Sequence, residues 1–413
     1  MSPPIPPAGA IHRDLARITE VLARELPQPA VGTPSWTQSD WLLARAVASI
    51  HGVSPLLSDR LLWDAAPPEW TRFLQQQKAH VATRHARIQE LLERIDHAAR
   101  EEHTPLVALK GAALHALGIY TAGTRPMADI DLLATGADAN RAAKLLVALG
   151  YRETEETWHH RVFVPDQRSA PVALGEHSSG EIKIELHTRI RERLPLRTVD
   201  VTDVIYPRHA AIGLNPYPSL AALMSHLLLH ASGTMINRTL RLLHLHDLAE
   251  VAQRMGSDDW EEFLTAHSSG GRELWWSLPP LALTQRYFFA VPQRVLERVA
   301  QRCPKSLVRA CRRYTLSSVS LSNLWVPAFP GIEWTRSTSE ALRYIIKRIA
   351  PGRQALAWRK TALQTNWRLA NSKWGRLSQT QRIVRWVIAR PPRVDTMTAV
   401  NAAFEQPQQL TQP

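Results

Sequence analysis

Apolar residues recur at threes and fours through the first hundred positions of the chain. Residues 10–27 have the spacing of an amphipathic helix, which Leu26-Pro27-Gln28-Pro29 would end. A second helix is predicted from 37 to about 51, with Ser39 or Asp40 near its start. Leu43, Ala46, Val47 and Ile50 supply its apolar face. Pro67-Pro68 breaks the chain, and 69–102 then carries one long helical pattern through Trp70, Phe73, Ala79, Val81, Ile88, Leu91, Leu92 and Ile95. These segments suit a helical cap packed on another body.

The period changes after His103-Thr104-Pro105. Residues 106–109 form a short continuous apolar run that suits a central strand, and 112–117 suit one or two helical turns. A second strand is expected over 128–134. Ala137-Asp138 then opens a helix through Ala142, Ala143, Leu145, Leu146 and Leu149, with Gly150 where a terminating glycine belongs. Residues 161–164 and 172–177 are candidate strands. Ser178-Ser179-Gly180 turns the chain into a further strand, 181–187, with Ile182, Ile184 and Leu186 on one face and Lys183, Glu185 and His187 on the other. From 220 to about 267 the pattern is helical again.

Composition bounds the picture. With 413 residues the chain can bury a sizeable core in two or three domains. It has no run of 18 apolar residues, so no transmembrane helix is expected. Met1-Ser2-Pro3-Pro4-Ile5-Pro6-Pro7 lacks the basic-then-apolar plan of a secretory signal, and Cys303 and Cys311 are too few for a disulfide framework. Both point to a cytoplasmic protein. The net charge of +13 is concentrated: residues 301–413 hold 19 Lys and Arg against 4 Asp and Glu, whereas the first 300 hold 31 against 33. In that last segment Trp334, Trp358, Trp367, Trp374 and Trp386 alternate with Arg343, Lys347, Arg348, Arg353, Arg359, Lys360, Arg368 and Arg385. Arg/Trp-rich helices suit an anionic membrane surface or nucleic acid, so 340–390 is the candidate contact and peripheral membrane association is an alternative location. A solvated basic face with Trp packed beneath it is the plainer account.

The chemistry concentrates in Thr124-Arg125-Pro126-Met127-Ala128-Asp129-Ile130-Asp131-Leu132-Leu133. On a strand Asp129 and Asp131 share a face, and two ionised carboxylates side by side repel unless a cation lies between them. Oxygen-rich pairs of this kind suit Mg²⁺ or Mn²⁺. The Lys110-Gly111 turn ahead of a short helix offers backbone N–H groups to phosphate. His226 and His230 stand four apart, and Arg241, His244, His246 and Asp247 follow, which is also metal-ligand spacing. Leu227, Leu228 and Leu229 beside them favour packed or buttressing histidines.

Leu109-Lys110-Gly111-Ala112-Ala113-Leu114, Arg125-Pro126-Met127-Ala128-Asp129-Ile130-Asp131-Leu132-Leu133 and Glu185-Leu186-His187 together resemble the bacterial nucleotidyltransferase-like family of the DNA polymerase β superfamily. That family carries an LKGxAL…RPMxDIDLL signature and a later (D/E)LH strand. The likeness spans roughly 40–345, taking in Leu227-Leu228-Leu229-His230-Ala231, 241–250 and 317–334. More distantly the block is similar to abortive-infection toxin nucleotidyltransferases. The resemblance implies an α+β fold, with a small mixed β-sheet nucleotidyltransferase core flanked by N- and C-terminal helical regions. The expected divisions are a disordered lead-in (1–9), an N-terminal helical region (10–102), the core (103–195), a helical region packed on it (196–290), the basic Trp/Arg-rich helical region (291–390) and a disordered tail (391–413).

The resemblance further implies transfer of a nucleoside monophosphate from an NTP to an acceptor. Asp129, Asp131 and Glu185 match the metal ligands, with Mg²⁺ or Mn²⁺ as the cofactor, and His187 would serve as base or orienter. Lys110, Gly111 and Ala112 match the phosphate-binding turn, and Arg125 would contact triphosphate oxygens. Ala112 and Ala113 stand where the superfamily turn usually has a second small residue and a hydroxyl. Tailoring of a peptide or polysaccharide is one role this implies. The alternatives are a nucleic-acid- or membrane-binding protein with a degenerate nucleotidyltransferase fold, or a toxin-like enzyme acting on tRNA.

Overall fold

The computed structural model describes residues 3–156, 160–166, 174–266, 273–325, 327–352 and 392–405, with 377–378, 381–382, 384–385 and 388 between the last two stretches. Helix α1 (Ala8–Glu25) starts two residues before the expected boundary and buries Ile11, Leu15, Ile18 and Leu22 completely along one stripe. Helix α2 (Gln38–His51) begins at a reciprocal cap. The Thr37 hydroxyl accepts from the Asp40 backbone N–H, and the Asp40 carboxylate accepts from the Thr37 N–H. It ends at Gly52, whose φ of +67° only glycine adopts at no cost. After the short α3 (Ser54–Arg60), α4 (Pro68–Glu101) places Pro68 at the first position, where a missing N–H is harmless.

The sheet is built from β1 (Pro105–Ala108), β2 (Asp129–Leu133), β3 (Tyr151–Glu156), β4 (His160–Pro165), β5 (Lys183–His187) and β8 (Gly213–Asn215). Among the described residues the strand order is β3-β4-β5-β2-β1-β8, with β2–β5 and β1–β8 parallel and the other neighbours antiparallel. Helix α5 (Lys110–Ala116) lies between β1 and β2, and α6 (Asp138–Ala148) between β2 and β3. A separate hairpin, β6 (Arg191–Leu194) and β7 (Arg197–Asp200), follows β5, and α7 (Thr202–Ile205) leads toward β8. Thus β7 and β8 fall beyond the expected core limit of 195, and the sheet recruits an edge strand from what reads as a helical region. Residues 172–173 of the expected 172–177 strand lie outside the described residues, and 174–177 are not a strand.

Alternation along the strands separates two cores. Leu106, Ile130, Leu132, Phe163, Ile184 and Leu186 pack with Ile88, Leu91 and Ile95 of α4 and with α6. Burying each such side chain contributes about 1.5–3 kcal/mol. Val107 and Leu133, on the opposite face, join a larger core that reaches from α1 to the last helix. Helices from the second half of the chain contribute to that same core: α8 (Leu220–Ile236), α9 (Leu242–Arg254), α10 (Ser257–Ala266), α11 (Leu278–Phe288), α12 (Gln293–Ala300), α13 (Lys305–Arg313) and α14 (Leu316–Val319). The helical pattern expected over 220 to about 267 falls into three helices, α8, α9 and α10. Its first break, ahead of α9, contains Arg238 at φ +58°.

Helix α15 (Thr338–Ile349) follows, and α16 (Val394–Glu405) closes the described chain. The expected disordered tail from 391 is thus corrected over 394–405. Ala399, Val400, Ala402, Ala403 and Phe404 are buried, with α16 packed on α2. Much of its buried face is alanine, a small apolar surface that does not stand out in sequence. No described helix is long and apolar enough to cross a membrane.

Candidate active site

Parallel pairing of β2 with β5 sets Asp129 opposite Lys183, Asp131 opposite Glu185 and Leu133 opposite His187. With period 2, Asp129, Asp131, Glu185 and His187 all project from the sheet face that α8 covers. The start of both strands is fixed from below by Arg84 of α4. Its Nε donates to the Met127 carbonyl, Nη2 to that of Ala128 and Nη1 to that of Gly180, each at 2.7 Å; Nη2 also reaches the Glu181 carbonyl. One buried guanidinium thus ties together the entries to the two carboxylate-bearing strands. Nothing in the sequence singles out Arg84, because a long helix carries many arginines that face water.

Lys110 opens α5 in the left-handed region, with φ +45°. A non-glycine residue held there stores strain that neighbouring contacts must offset. The Leu109 N–H donates to the Asp131 carbonyl at 2.9 Å, and the Lys110 N–H donates to the Tyr217 hydroxyl at 3.2 Å. This geometry brings Lys110 Nζ to 2.7 Å from Asp131 Oδ1, the oxygen that also lies 3.0 Å from His187 Nε2. Burial opposes the Asp131 charge, but Lys110 and His187 outweigh it and hold its pKa well below the usual carboxylate range. Burial and the Asp131 charge push Asp129 upward. Glu185, half-buried and beside both aspartates, is pushed up to about 8 by desolvation and their charge. Burial lowers His187 and favours its neutral form.

Two residues near these side chains carry no signal of their own in the sequence. His160 starts β4, one position before the expected strand, and its pairing opposite His187 sets the two rings 5.0 Å apart. His160 Nε2 lies 3.6 Å from Glu185 Oε1. The alternation His160, Val162, Val164 is the signal that could have found it. Glu192 of β6 is half-buried against Gly233 of α8, where a Cβ would collide with its carboxylate, and burial raises its pKa to about 7. Together with Lys110, Glu185 and His187, these residues line a cavity of about 140 Å³ that α8 closes with His226, Leu229 and His230.

The histidines of α8 and α9 buttress the site. Tyr217, which receives the Lys110 N–H, lies 2.6 Å from His226 Nδ1. The His230 ring stacks edge-on against His244 at 4.9 Å. Burial keeps His226, His230 and His244 uncharged.

The expected role of Arg125 is corrected. Its side chain is buried, with Nε and Nη2 donating to Oδ1 and Oδ2 of Asp247 at 2.9 and 2.8 Å. Tyr120 donates to the same carboxylate at 2.8 Å. Arg125 therefore anchors α9 beneath α5 and is not presented to a triphosphate. Gly111 is glycine for the same reason: a Cβ there would strike Arg125 Nη1 and Met127 Sδ. The Ala112 and Ala113 methyls are buried as well. Of the expected phosphate turn, Lys110 alone is among the residues lining the cavity.

A larger cavity, about 640 Å³, opens beyond the C-terminal ends of β2 and β5, lined by Thr135, Gly136, Thr188, Arg189, Arg197 and Arg336 among others. Its arginines are paired with acids: Arg189 with Asp200, Arg197 with Glu340, Arg336 with Glu273. None of the Asp129, Asp131 and Glu185 carboxylates is among its lining residues, whereas Glu185 lines the smaller cavity together with Lys110 and His187.

Among curated proteins and among solved structures, no match to the chain is found. A family model, in contrast, matches residues 37–276, from the cap of α2 through β1–β8 to the helices that close the site, and stops short of the 345 expected from the motifs. The stretch includes Lys110, Asp129, Asp131, His160, Glu185 and His187, and the chain belongs to the family described as uncharacterised nucleotidyltransferases.

Proposed function

We propose that the protein transfers a nucleoside monophosphate from an NTP to an acceptor in a Mg²⁺- or Mn²⁺-dependent reaction. The observation that carries this is the register of β2 with β5, by which Asp129, Asp131 and Glu185 share one sheet face next to Lys110. When ionised, three carboxylates and one ammonium leave two negative charges in a buried site, and a divalent cation neutralises such a set. Asp129, Asp131 and Glu185 would hold it. A bound ion of this type supplies charge stabilisation to phosphoryl oxygens and lowers the pKa of an attacking hydroxyl.

The remaining work falls to the chain itself. An acceptor oxygen or nitrogen attacks the α-phosphorus, the bond to the β-phosphate oxygen breaks, and pyrophosphate leaves. The acceptor proton passes to Glu185 or to His187, whose hydrogen bond to Asp131 orients it. Lys110 supplies a fixed positive charge for the triphosphate. The acceptor class, a hydroxyl, phosphate or amine on a small molecule, peptide or protein, fits tailoring of a peptide or polysaccharide product. Incubation of wild type and Asp129→Ala with labelled ATP, CTP, GTP and UTP, Mg²⁺ or Mn²⁺ and host extract, followed by mass analysis, tests the proposal. Transfer by wild type alone supports it; no transfer from any NTP overturns it.

A second role, contact with an anionic membrane surface through 340–390, is favoured by α15. Leu342, Ile346 and Ile349 are exposed there on a helix that also carries Arg343, Lys347 and Arg348. Trp358, Trp367, Trp374 and Trp386 lie outside the described residues, while Trp334 is fully buried and donates to the Tyr314 hydroxyl. Co-sedimentation with phosphatidylglycerol vesicles, lost on Leu342→Asp, supports this contact. Salt-sensitive binding of RNA without vesicle binding would reassign it.

A further inference from the structure

We propose that this site takes a first-row transition ion of the Mn²⁺, Co²⁺ or Zn²⁺ class, held by His160 and His187 with Glu185 between them, in preference to Mg²⁺. The inference rests on the nucleotidyltransferase proposal only for the location of the chemistry. Among the described residues, His160, Glu185 and His187 are the group whose potential donor atoms all lie within 4.8 Å of one another.

The geometry of the three is close to that of a metal centre. His160 Nε2 lies 3.6 Å from Glu185 Oε1, and His187 Nε2 lies 3.7 Å from Glu185 Oε2. Donors bound at roughly 2.0–2.2 Å to a common ion stand about 3–4 Å apart. The carboxylate therefore faces an imidazole on either side at ligand-to-ligand distance.

Backbone register produces this arrangement. His160 is paired across the antiparallel ladder with His187, and Val162 with Glu185, so the two rings approach from adjacent strands while Glu185 stands two residues from His187. All three line the same small cavity. Asp131 Oδ1, 3.0 Å from His187 Nε2, stands next to them, with Lys110 covering part of its charge.

Donor chemistry then decides the ion. Mg²⁺ prefers oxygen ligands and dehydrates reluctantly, whereas imidazole nitrogen suits the later first-row ions. A site with two imidazoles loses little by excluding Mg²⁺ and gains two strong donors for a softer ion. A ring nitrogen that binds an ion cannot also donate a proton, so ion binding would exchange the His187–Asp131 hydrogen bond for a metal bond.

The full chain, stripped with EDTA, is titrated calorimetrically with MnCl2, CoCl2, ZnCl2 and MgCl2. The transition ions are expected to bind at least about tenfold more tightly than Mg²⁺. His160→Gln should remove most of that preference and leave Mg²⁺ binding unchanged. X-ray absorption of the Zn²⁺-loaded wild type needs no variant, and imidazole scattering in its outer shells is the expected result. Equal affinity for Mg²⁺ and the transition ions, or a Zn²⁺ spectrum with oxygen ligands alone, overturns the inference. None of these measurements depends on turnover. A chain that binds Zn²⁺ through imidazole yet transfers nothing would refute the transferase proposal and keep this one.

Discussion

Arg125 and Asp247, 122 residues apart, meet in a two-pronged ion pair with N–O distances of 2.9 and 2.8 Å. Both side chains are almost fully withdrawn from water, at 9% and 2% exposure. The pair lies directly beneath Gly111, so it sets the height of α5 and with it the position of Lys110 over Asp131. A residue that a motif would assign to the substrate instead supports the element that faces it.

Removing one partner should be costly. Asp247→Asn leaves a buried guanidinium without its counter-charge, and breaking such a pair costs about 3–5 kcal/mol. Urea denaturation followed by circular dichroism should show a fall of that size, with most of it recovered in Arg125→Met/Asp247→Leu, where no charge remains to be buried. A single variant as stable as wild type would show that the pair is solvated.

Gly111→Ala should destabilise for a different reason. The added methyl meets Met127 Sδ, which can swing aside, and Arg125 Nη1, which Asp247 holds in place. Overpacking of this kind costs about 1–3 kcal/mol. Met127→Ala in the same chain should return part of the loss in a thermal melt. No recovery would mean that Arg125 accounts for the whole clash.

The carboxylate half of the site is legible in sequence because strand alternation alone puts Asp129 with Asp131 and Glu185 with His187. What alternation cannot supply is register. Nothing local states that Asp131 pairs with Glu185, or that β4 brings His160 to the same point. Arg125 and Arg84 are misjudged or missed because a buried arginine and an exposed one look alike until their partners, Asp247 and four backbone carbonyls, are placed around them. Strand β8 is three residues long, too short for periodicity to register, and its Gly213 pairs with Pro105 only across a long gap in sequence.

Arg84 should act as a positioning residue. Lysine retains the charge but cannot reach the carbonyls of both strand entries with one planar fork. Arg84→Lys is expected to lower the transfer rate at saturating NTP more than it raises KM, because the carboxylates shift while Lys110 stays. Arg84→Met should add a loss of stability, since the four carbonyls it serves then lack a donor. If kcat is unchanged in Arg84→Lys, the strands are held by the sheet alone.

Acid should destabilise the fold well before the ordinary carboxylate range, and His51 isolates the effect. Its ring is fully buried: Nδ1 accepts from the Leu242 N–H at 2.9 Å, and Nε2 lies 2.9 Å from the Ser322 hydroxyl, which in turn bonds Thr19. An imidazolium could not accept at Nδ1. Burial, with Arg241 adding repulsion, lowers the pKa from 6.5 to about 3. The unfolded chain therefore takes up the proton first as pH falls. The stability contributed by neutral His51 is complete above pH 6.5, shrinks between 6.5 and about 3, and is gone below that. In His51→Gln the amide can keep an acceptor for Leu242 and a donor for Ser322 but does not titrate. Between pH 6 and 4, wild type should lose up to about 1.4 kcal/mol per pH unit more than the variant, the value for one proton. Urea unfolding at half-unit pH steps measures the difference, and parallel curves for the two proteins would show that His51 is already protonated in the folded chain.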